Sequence, residues 1–229
     1  MPEGSVFDIC DLGVKENEDQ IALVKTLSRL AKTGVIKRVA RGKYFKPQKT
    51  RFGTLAPDEN EIIKLFLFKR NQTIGYETGL SLYNKLGLTT QIPNTIVIAR
   101  NIRLKDRTQD NIKIKFVLQP IRFKASDVLL LQLLDALKDI NKIPDSSPTK
   151  AVMIIIEKLQ SLDEKALKKM IKFSLDYNPR TRALFGAILE CYFKSIDVSI
   201  IADSLNPITK YKIDIHTDVL PNQLNWNII

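Results

Sequence analysis

Projected at 100° per residue, positions 17–34 set Leu23, Val24, Leu27, Leu30 and Ala31 on one side and Ala22, Lys25, Thr26, Arg29 and Lys32 on the other. That is the two-faced pattern of a helix that packs by one stripe and leaves the other in solvent. Asn17, with Gln20 three residues on, predicts a reciprocal cap, Glu18 and Asp19 complement the positive helix end, and Gly34 is placed to stop the helix. Residues 35–39 and 43–46 are β-prone runs joined by Ala40, Arg41 and Gly42, the pattern of a ribbon closed by a tight turn. Upstream, residues 5–12 read as a short first helix, with 13–17 as the turn between the two helices.

The pattern changes after a linker at 51–57. Residues 58–69 predict an amphipathic helix with Ile62, Ile63, Leu65, Phe66 and Phe68 on its apolar side, and 76–86 predict another, ended by Gly87. Positions 95–99 and 112–118 read as strands, the second alternating Ile112, Ile114 and Phe116 against Lys113 and Lys115. Arg100, Arg103, Lys105 and Arg107 between them form a basic hairpin tip in this reading. Beyond Ser126 helices dominate, near 126–140, 149–160, 163–175 and 179–195, the last with Pro179 in its first turn. Tyr211, Ile213 and Ile215 alternate with Lys212, Asp214 and His216, which suggests a late strand. No internal repeat or low-complexity tract interrupts the chain.

Charge sharpens the reading of the N-terminal part. The 229 residues carry a net charge of +11, and the excess lies in the first half, while the second half is nearly neutral. From Gln20 to Leu55 there are ten Lys or Arg and no Asp or Glu, counted along the sequence. A helix and ribbon without acids suit a polyanion, because each cation brought to a phosphate releases counterions and each carboxylate there would cost Coulomb energy. The expected fold class is α+β: an N-terminal winged helix-turn-helix over residues 1–55, followed over 56–229 by a mainly helical C-terminal domain with a few antiparallel strands. The candidate DNA contacts are Lys25, Thr26, Arg29 and Lys32 on the helix and Arg38, Arg41, Lys43 and Lys46 on the ribbon. A winged helix ordinarily buries one more helix upstream, whereas only Met1 to Gly4 precede Ser5; the expectation is a late start at an internal methionine.

Other chemistries find little support. Cys10 and Cys191 stand alone and His216 is the single histidine, so neither a structural zinc site nor a disulfide framework is expected, and a reducing cytoplasm fits best. Asp214, His216 and Asp218 invite a metal reading but lack a second histidine, and Cys191, among Ile188, Leu189, Tyr192 and Phe193, reads as a small core residue. Gly4-Ser5 before Asp8 and Asp11 has carboxylates three apart, the wrong spacing for a two-metal nucleotidyltransferase strand. No phosphate-binding glycine loop occurs, no cofactor is implied, and the longest apolar runs, 128–134 and 152–156, fall well short of the roughly 18 to 20 residues that span a bilayer. The protein is read as a non-enzymatic binding protein without a membrane partner. Two rivals remain open: a transcriptional regulator whose C-terminal domain senses a ligand or oligomerises, and a nucleic-acid enzyme that would depend on residues such as Asp106 or Asp110.

Short motifs along nearly the whole chain resemble one family. Gly4-Ser5-Val6-Phe7 leading to Asp11-Leu12, Leu27-Ser28-Arg29-Leu30 with Gly34, Val35, Ile36 and Arg38, and the run Arg41-Gly42-Lys43-Tyr44-Phe45-Lys46-Pro47 carry the likeness in the N-terminal part. Phe52-Gly53, Pro57, Gly75-Tyr76, Gly79, Leu86-Gly87-Leu88, Pro93 and Arg100-Asn101 continue it. The tail adds Asn178-Pro179-Arg180-Thr181-Arg182-Ala183-Leu184, Leu205-Asn206-Pro207, Tyr211-Lys212 and Trp226-Asn227-Ile228. Together they resemble the AbiEi-type antitoxins of the type IV, abortive-infection toxin–antitoxin class. The resemblance implies an N-terminal winged helix that represses its own operon by binding double-stranded DNA repeats in its promoter. It implies also a larger C-terminal domain that counters a neighbouring nucleotidyltransferase toxin without a stable complex. Residues of the C-terminal domain that would counter the toxin do not follow from it.

Overall fold

The computed structural model describes residues 3–13, 18–40, 42–51, 53–55, 58–70, 72–109 and 112–229. Residues 5–12, expected as a helix, instead open with strand β1 (Val6–Asp8) and a 3-10 turn (Ile9–Leu12). Asp8 ends the strand by accepting the Cys10 amide at 2.9 Å while the Asp11 carboxylate accepts the Asp8 amide at 2.9 Å, and Gly13 closes the turn at φ 68°. Those reciprocal bonds favour a single tight turn over a helix. Helix α1 (Glu18–Lys32) follows and ends as expected at Gly34, whose φ of 74° lets the Val35 amide reach back to the Leu30 carbonyl. The Asn17 cap lies outside the described residues. The ribbon is β2 (Lys37–Ala40) and β3 (Lys43–Phe45), and β1 pairs with β3 so that the antiparallel sheet runs β1-β3-β2.

Where the linker was expected to begin, β4 (Lys49–Thr50) pairs with β5 (Gly53–Thr54) in a small hairpin, and Phe52, Ala56 and Pro57 lie outside the described residues. Asp58 then caps α2 (Glu59–Leu67), its carboxylate accepting the Asn60 amide at 2.7 Å. The helix stops two residues earlier than expected, because Phe68 turns extended and exposed in β6 (Phe68–Lys69), paired with β7 (Gln72–Thr73). A larger departure follows: the start of the helix expected at 76–86 is strand β8 (Gly75–Thr78), and only α3 (Leu80–Lys85) is helical. Tyr76 and Thr78 alternate inward, and Gly79 at φ 69° breaks the chain between strand and helix.

Strands β9 (Thr95–Arg100), β10 (Arg107–Gln109) and β11 (Ile112–Leu118) complete a sheet in the order β10-β11-β9-β8. β9 and β11 lie parallel, Ile96 beside Ile114 and Ile98 beside Phe116, so the segment between them is a crossover rather than a hairpin tip. The architecture is mixed α and β, with small antiparallel sheets and, among the described strands, this one parallel pair. Ile96, Ile98 and Ile114 on one sheet face meet Ile62, Ile63, Leu65 and Phe66 of α2, and Val39 and Phe45 of the N-terminal sheet complete the same core. The opposite face, through Tyr76 and Ala99, packs on Ile121 and on Leu131 of α4 (Val128–Lys138).

Three further helices stand where they were expected, α5 (Pro148–Gln160), α6 (Glu164–Ser174) and α7 (Pro179–Tyr192), and a short α8 (Ser199–Asp203) that the sequence reading did not include follows them. Ser147, Asp163 and Asn178 cap α5, α6 and α7 with side-chain oxygens on backbone amides. Tyr211, Ile213 and Ile215 do alternate inward, yet they make one isolated bridge, Tyr211 to Ile228, in place of a strand. Trp226 lies against Gly186 in the middle of α7 and donates its indole N–H to Glu190 at 2.9 Å. Cys191 is half-buried against this core, and no described helix is long and apolar enough to cross a membrane.

Candidate nucleic-acid interface

Helix α1 is held by one side. Leu27 is buried, and Leu23, Leu30 and Ala31 are half-buried, against Phe7, Ile36 and Tyr44, with the Phe7 and Tyr44 rings stacked at 5.8 Å. Val24, expected on this side, is 47% exposed, so the packed stripe is narrower than the sequence projection. Lys25, Thr26, Arg29 and Lys32 are all exposed. Their spacing of three, four and seven keeps them on adjoining turns of one face. Among the described residues Lys25, Arg29 and Lys32 take part in no ion pair, so their charge faces solvent uncompensated.

The ribbon divides its cations between two sides. Phe7, Tyr44 and Arg38 stand in one row across β1, β3 and β2, and Phe7 and Tyr44 pack on α1, so strand alternation puts the exposed Arg38 on the same side of the sheet as that helix. The next row, Val6, Phe45 and Lys37, belongs to the opposite side, where Phe45 enters the α2 core. Lys43, two residues from Phe45, must share that side. Its ammonium lies 3.0 Å from the Asp8 carboxylate, donates to the Leu65 carbonyl and sits 5.6 Å from the Phe66 ring centre. Burial alone would raise the Asp8 carboxyl, but the Cys10 amide and Lys43 outweigh it and hold Asp8 below its ordinary value. Lys43 is therefore corrected from a candidate phosphate contact to a cation that ties the ribbon to α2. Lys46 is half-buried, its backbone bonded to Gly4 and Ser5, and Arg41 lies outside the described residues.

The second basic segment disperses. Arg100 is half-buried and gives Nη1 to the Phe66 carbonyl at 3.0 Å, and its desolvation lowers its pKa. Arg107 lies 6.0 Å from the Phe66 ring centre, and Arg103 and Lys105 are exposed. Asp106 accepts the Phe116 amide at 3.0 Å, and Asp110 lies outside the described residues. His216 and Asp218, 3.2 Å apart, are both exposed, and among the described residues no group of three or more His, Cys, Asp and Glu could hold a metal ion.

The chain belongs to DUF6088, a family of unknown function, whose profile matches residues 1–171. No curated protein matches it. Among solved structures it is similar to the Rv2827c protein of Mycobacterium tuberculosis, with a TM-score of 0.50 and 10% identity over 90% of this chain and 78% of that one. At that identity the likeness speaks for the fold alone.

Sequence reasoning missed a second feature, a buried polar cluster around Asp135. Asp135 was absorbed into the helix predicted at 126–140, and Tyr76 and Thr78 lay in or beside a segment read as helical. The structure brings them together with Tyr177: the Asp135 carboxylate accepts Tyr76 Oη at 3.0 Å, Thr78 Oγ1 at 2.8 Å and Tyr177 Oη at 2.8 Å. The signal in the sequence is a charged residue at a position of α4 whose neighbours, Leu131, Leu134 and Leu137, are all core residues.

Proposed function

We propose that this protein is a DNA-binding antitoxin that represses its own operon and counters a nucleotidyltransferase toxin. In this reading β1, the following 3-10 turn, α1 and the β2–β3 ribbon form a winged helix-turn-helix, with α1 entering the major groove. The observation that carries it is the α1 face of Lys25, Arg29 and Lys32, exposed and without ion pairs among the described residues, within a stretch that has no acid. Lys25, Thr26, Arg29 and Lys32 are assigned to the groove, and Arg38, Arg41 and Lys46 to the flanking phosphates. The antitoxin role rests on the sequence motifs, and the partner toxin acts without a stable complex.

The test is a fluorescence-anisotropy titration of the protein against its own upstream DNA and a scrambled duplex at two salt concentrations. Specific binding is expected, with log K falling by about 0.9 per log unit of salt for each phosphate neutralised. Equal affinity for the two duplexes refutes the autorepressor. Rescue of growth on co-expression with a nucleotidyltransferase whose gene neighbours this one tests the second half of the proposal, and the lack of such a gene, or of rescue, refutes it. A ligand-sensing transcriptional regulator is the second reading, favoured by the cleft beside Asp135.

A further inference from the structure

On the sheet face turned away from α2, a cleft of about 410 Å³ opens between the sheet, the C-terminal half of α4 and the turn from α6 to α7. Thr78, Val97 and Lys115 are neighbours across β8, β9 and β11 and form its floor, while Asp135, Asp139, Asp176 and Tyr177 belong to its walls. Asp135 is 5% exposed, and no ion pair reaches it among the described residues. A desolvated carboxylate without a cation is costly in a fold. The Lys115 side chain and Lys138 of α4 also line the cleft, and neither takes part in an ion pair among the described residues.

The hydrogen bonds around Asp135 define what is left open. Oδ2 accepts both Tyr76 and Thr78, and Oδ1 accepts Tyr177. Gln119 Nε2 donates to Tyr76 Oη at 2.7 Å, which commits the Tyr76 proton to Asp135. A carboxylate offers about four acceptor positions, so one remains, on Oδ1. A planar guanidinium needs two parallel acceptors for its fork, whereas an ammonium is a point charge that can use one.

We propose that this cleft binds a small zwitterion, its primary ammonium on Asp135 Oδ1 and its anionic end at Lys115, which shares the cleft floor with Thr78 and Val97. Asp139 already accepts Tyr83 Oη and pairs with Lys142, so the two lysines disfavour a polyamine, and the single open acceptor on Asp135 disfavours a guanidinium. Burial raises the Asp135 carboxyl above its ordinary value against the pull of the three hydroxyls and Lys138, and an arriving ammonium relieves that penalty. The site is separate from the α1 face and does not rest on DNA binding.

The experiment is calorimetric titration of the full chain, without DNA, with 6-aminohexanoate, n-hexylamine and hexanoate as probes. The expected order is 6-aminohexanoate tightest, hexylamine weaker and hexanoate without saturable binding. Asp135→Asn is expected to weaken 6-aminohexanoate at least tenfold. Lys115→Gln, on an exposed strand position, is expected to weaken 6-aminohexanoate severalfold and leave hexylamine unchanged, which keeps the test decisive should Asp135→Asn misfold. No saturable binding of either amine, or equal 6-aminohexanoate affinity in Lys115→Gln and the parent, overturns the proposal.

Discussion

Replacing Lys43 separates a cation that binds DNA from one that holds the fold. Its side chain is 15% exposed and that of Asp8 is 14% exposed, so the pair sits between the buried and the surface regimes. Breaking a fully buried pair costs about 3 to 5 kcal/mol, and an exposed one is worth about 0 to 1. Asp8 keeps the Cys10 amide after Lys43 is removed, while the Leu65 carbonyl loses its donor and the Phe66 ring its cation. The contact to Phe66 adds about 0.5 to 1 kcal/mol. Lys43→Met, which preserves the packed stem, should therefore destabilise the protein by about 2 kcal/mol at neutral pH in urea unfolding. The folded-state pKa of Asp8 is depressed, so its contribution is present above the unfolded value of about 3.9 and is lost as pH falls through the lower folded value. The gap between parent and Lys43→Met should accordingly narrow below about pH 4. Under conditions where both are folded, the salt slope of DNA binding should not change. A Lys43→Met variant with parental stability and a DNA salt slope lower by about 0.9 would refute the reasoning.

Arg29→Ala is expected to do the reverse, leaving urea unfolding within about 0.5 kcal/mol of the parent and weakening operator binding by about 1 to 3 kcal/mol. Unchanged operator affinity in that variant would remove α1 as the reading helix. In Gly186→Ala the new Cβ would lie 2.2 Å from the Trp226 ring, so the ring must leave its place. Overpacking of about 1 to 3 kcal/mol should outweigh a helix-propensity gain of about 1, and a lowered Tm with red-shifted emission from the single tryptophan is expected. For Asp135 the sign is opposite to that of Asp8: its pKa is raised by burial, so stability should decline as pH rises from about 4 through the folded value. The groups facing it are Tyr76, Thr78 and Tyr177, with Lys138 as the cation that acts on it. An Asp135→Asn protein should show a flatter profile over that range in denaturant melts, and parallel profiles would discard this account.

The elements that sequence periodicity located were those whose burial is one-sided over several turns or alternations. α1, α5, α6 and β11 are of this kind, whereas α7 is buried without a break from Ala183 to Leu189 and was marked instead by Asn178 and Pro179 at its start. The failures are short segments decided by partners far away in the chain. Val6 and Phe7 form a strand because Phe45 and Tyr44 pair with them, and Tyr76 and Thr78 form a strand because β9 does. A four-residue strand with two inward side chains has too few positions for its period to be distinguished from that of a helix. The parallel pairing of β9 and β11 is likewise invisible locally, because alternation gives the faces of a strand but not its direction. The exposed α1 cations were legible because they need only the helix period. The inward turn of Lys43 needed the further knowledge that Phe45, rather than Tyr44, faces α2.

The same register bears on how the two parts of the chain relate. The boundary expected at 55/56 is crossed by one core, in which Val39 and Phe45 pack with Ile62, Ile63, Leu65 and Phe66 of α2 and with the inner face of the four-stranded sheet. Lys43 adds a polar tie across the same boundary, to the Leu65 carbonyl. A tether alone would leave the N-terminal sheet free to reorient, whereas burying Phe45 and Val39 against α2 fixes that sheet, since separating them would expose apolar surface at about 25 cal/mol per Å². α2 thus covers one face of a sheet whose other face floors the Asp135 cleft. Any influence of a cleft ligand on DNA binding must pass through that one sheet and helix. It can be no larger than the ligand's difference in affinity between two arrangements of them. Because the Phe45–α2 core is well packed, the arrangement available to shift is the tilt of α1 on Phe7 and Tyr44, where Leu23, Leu30 and Ala31 are only half-buried.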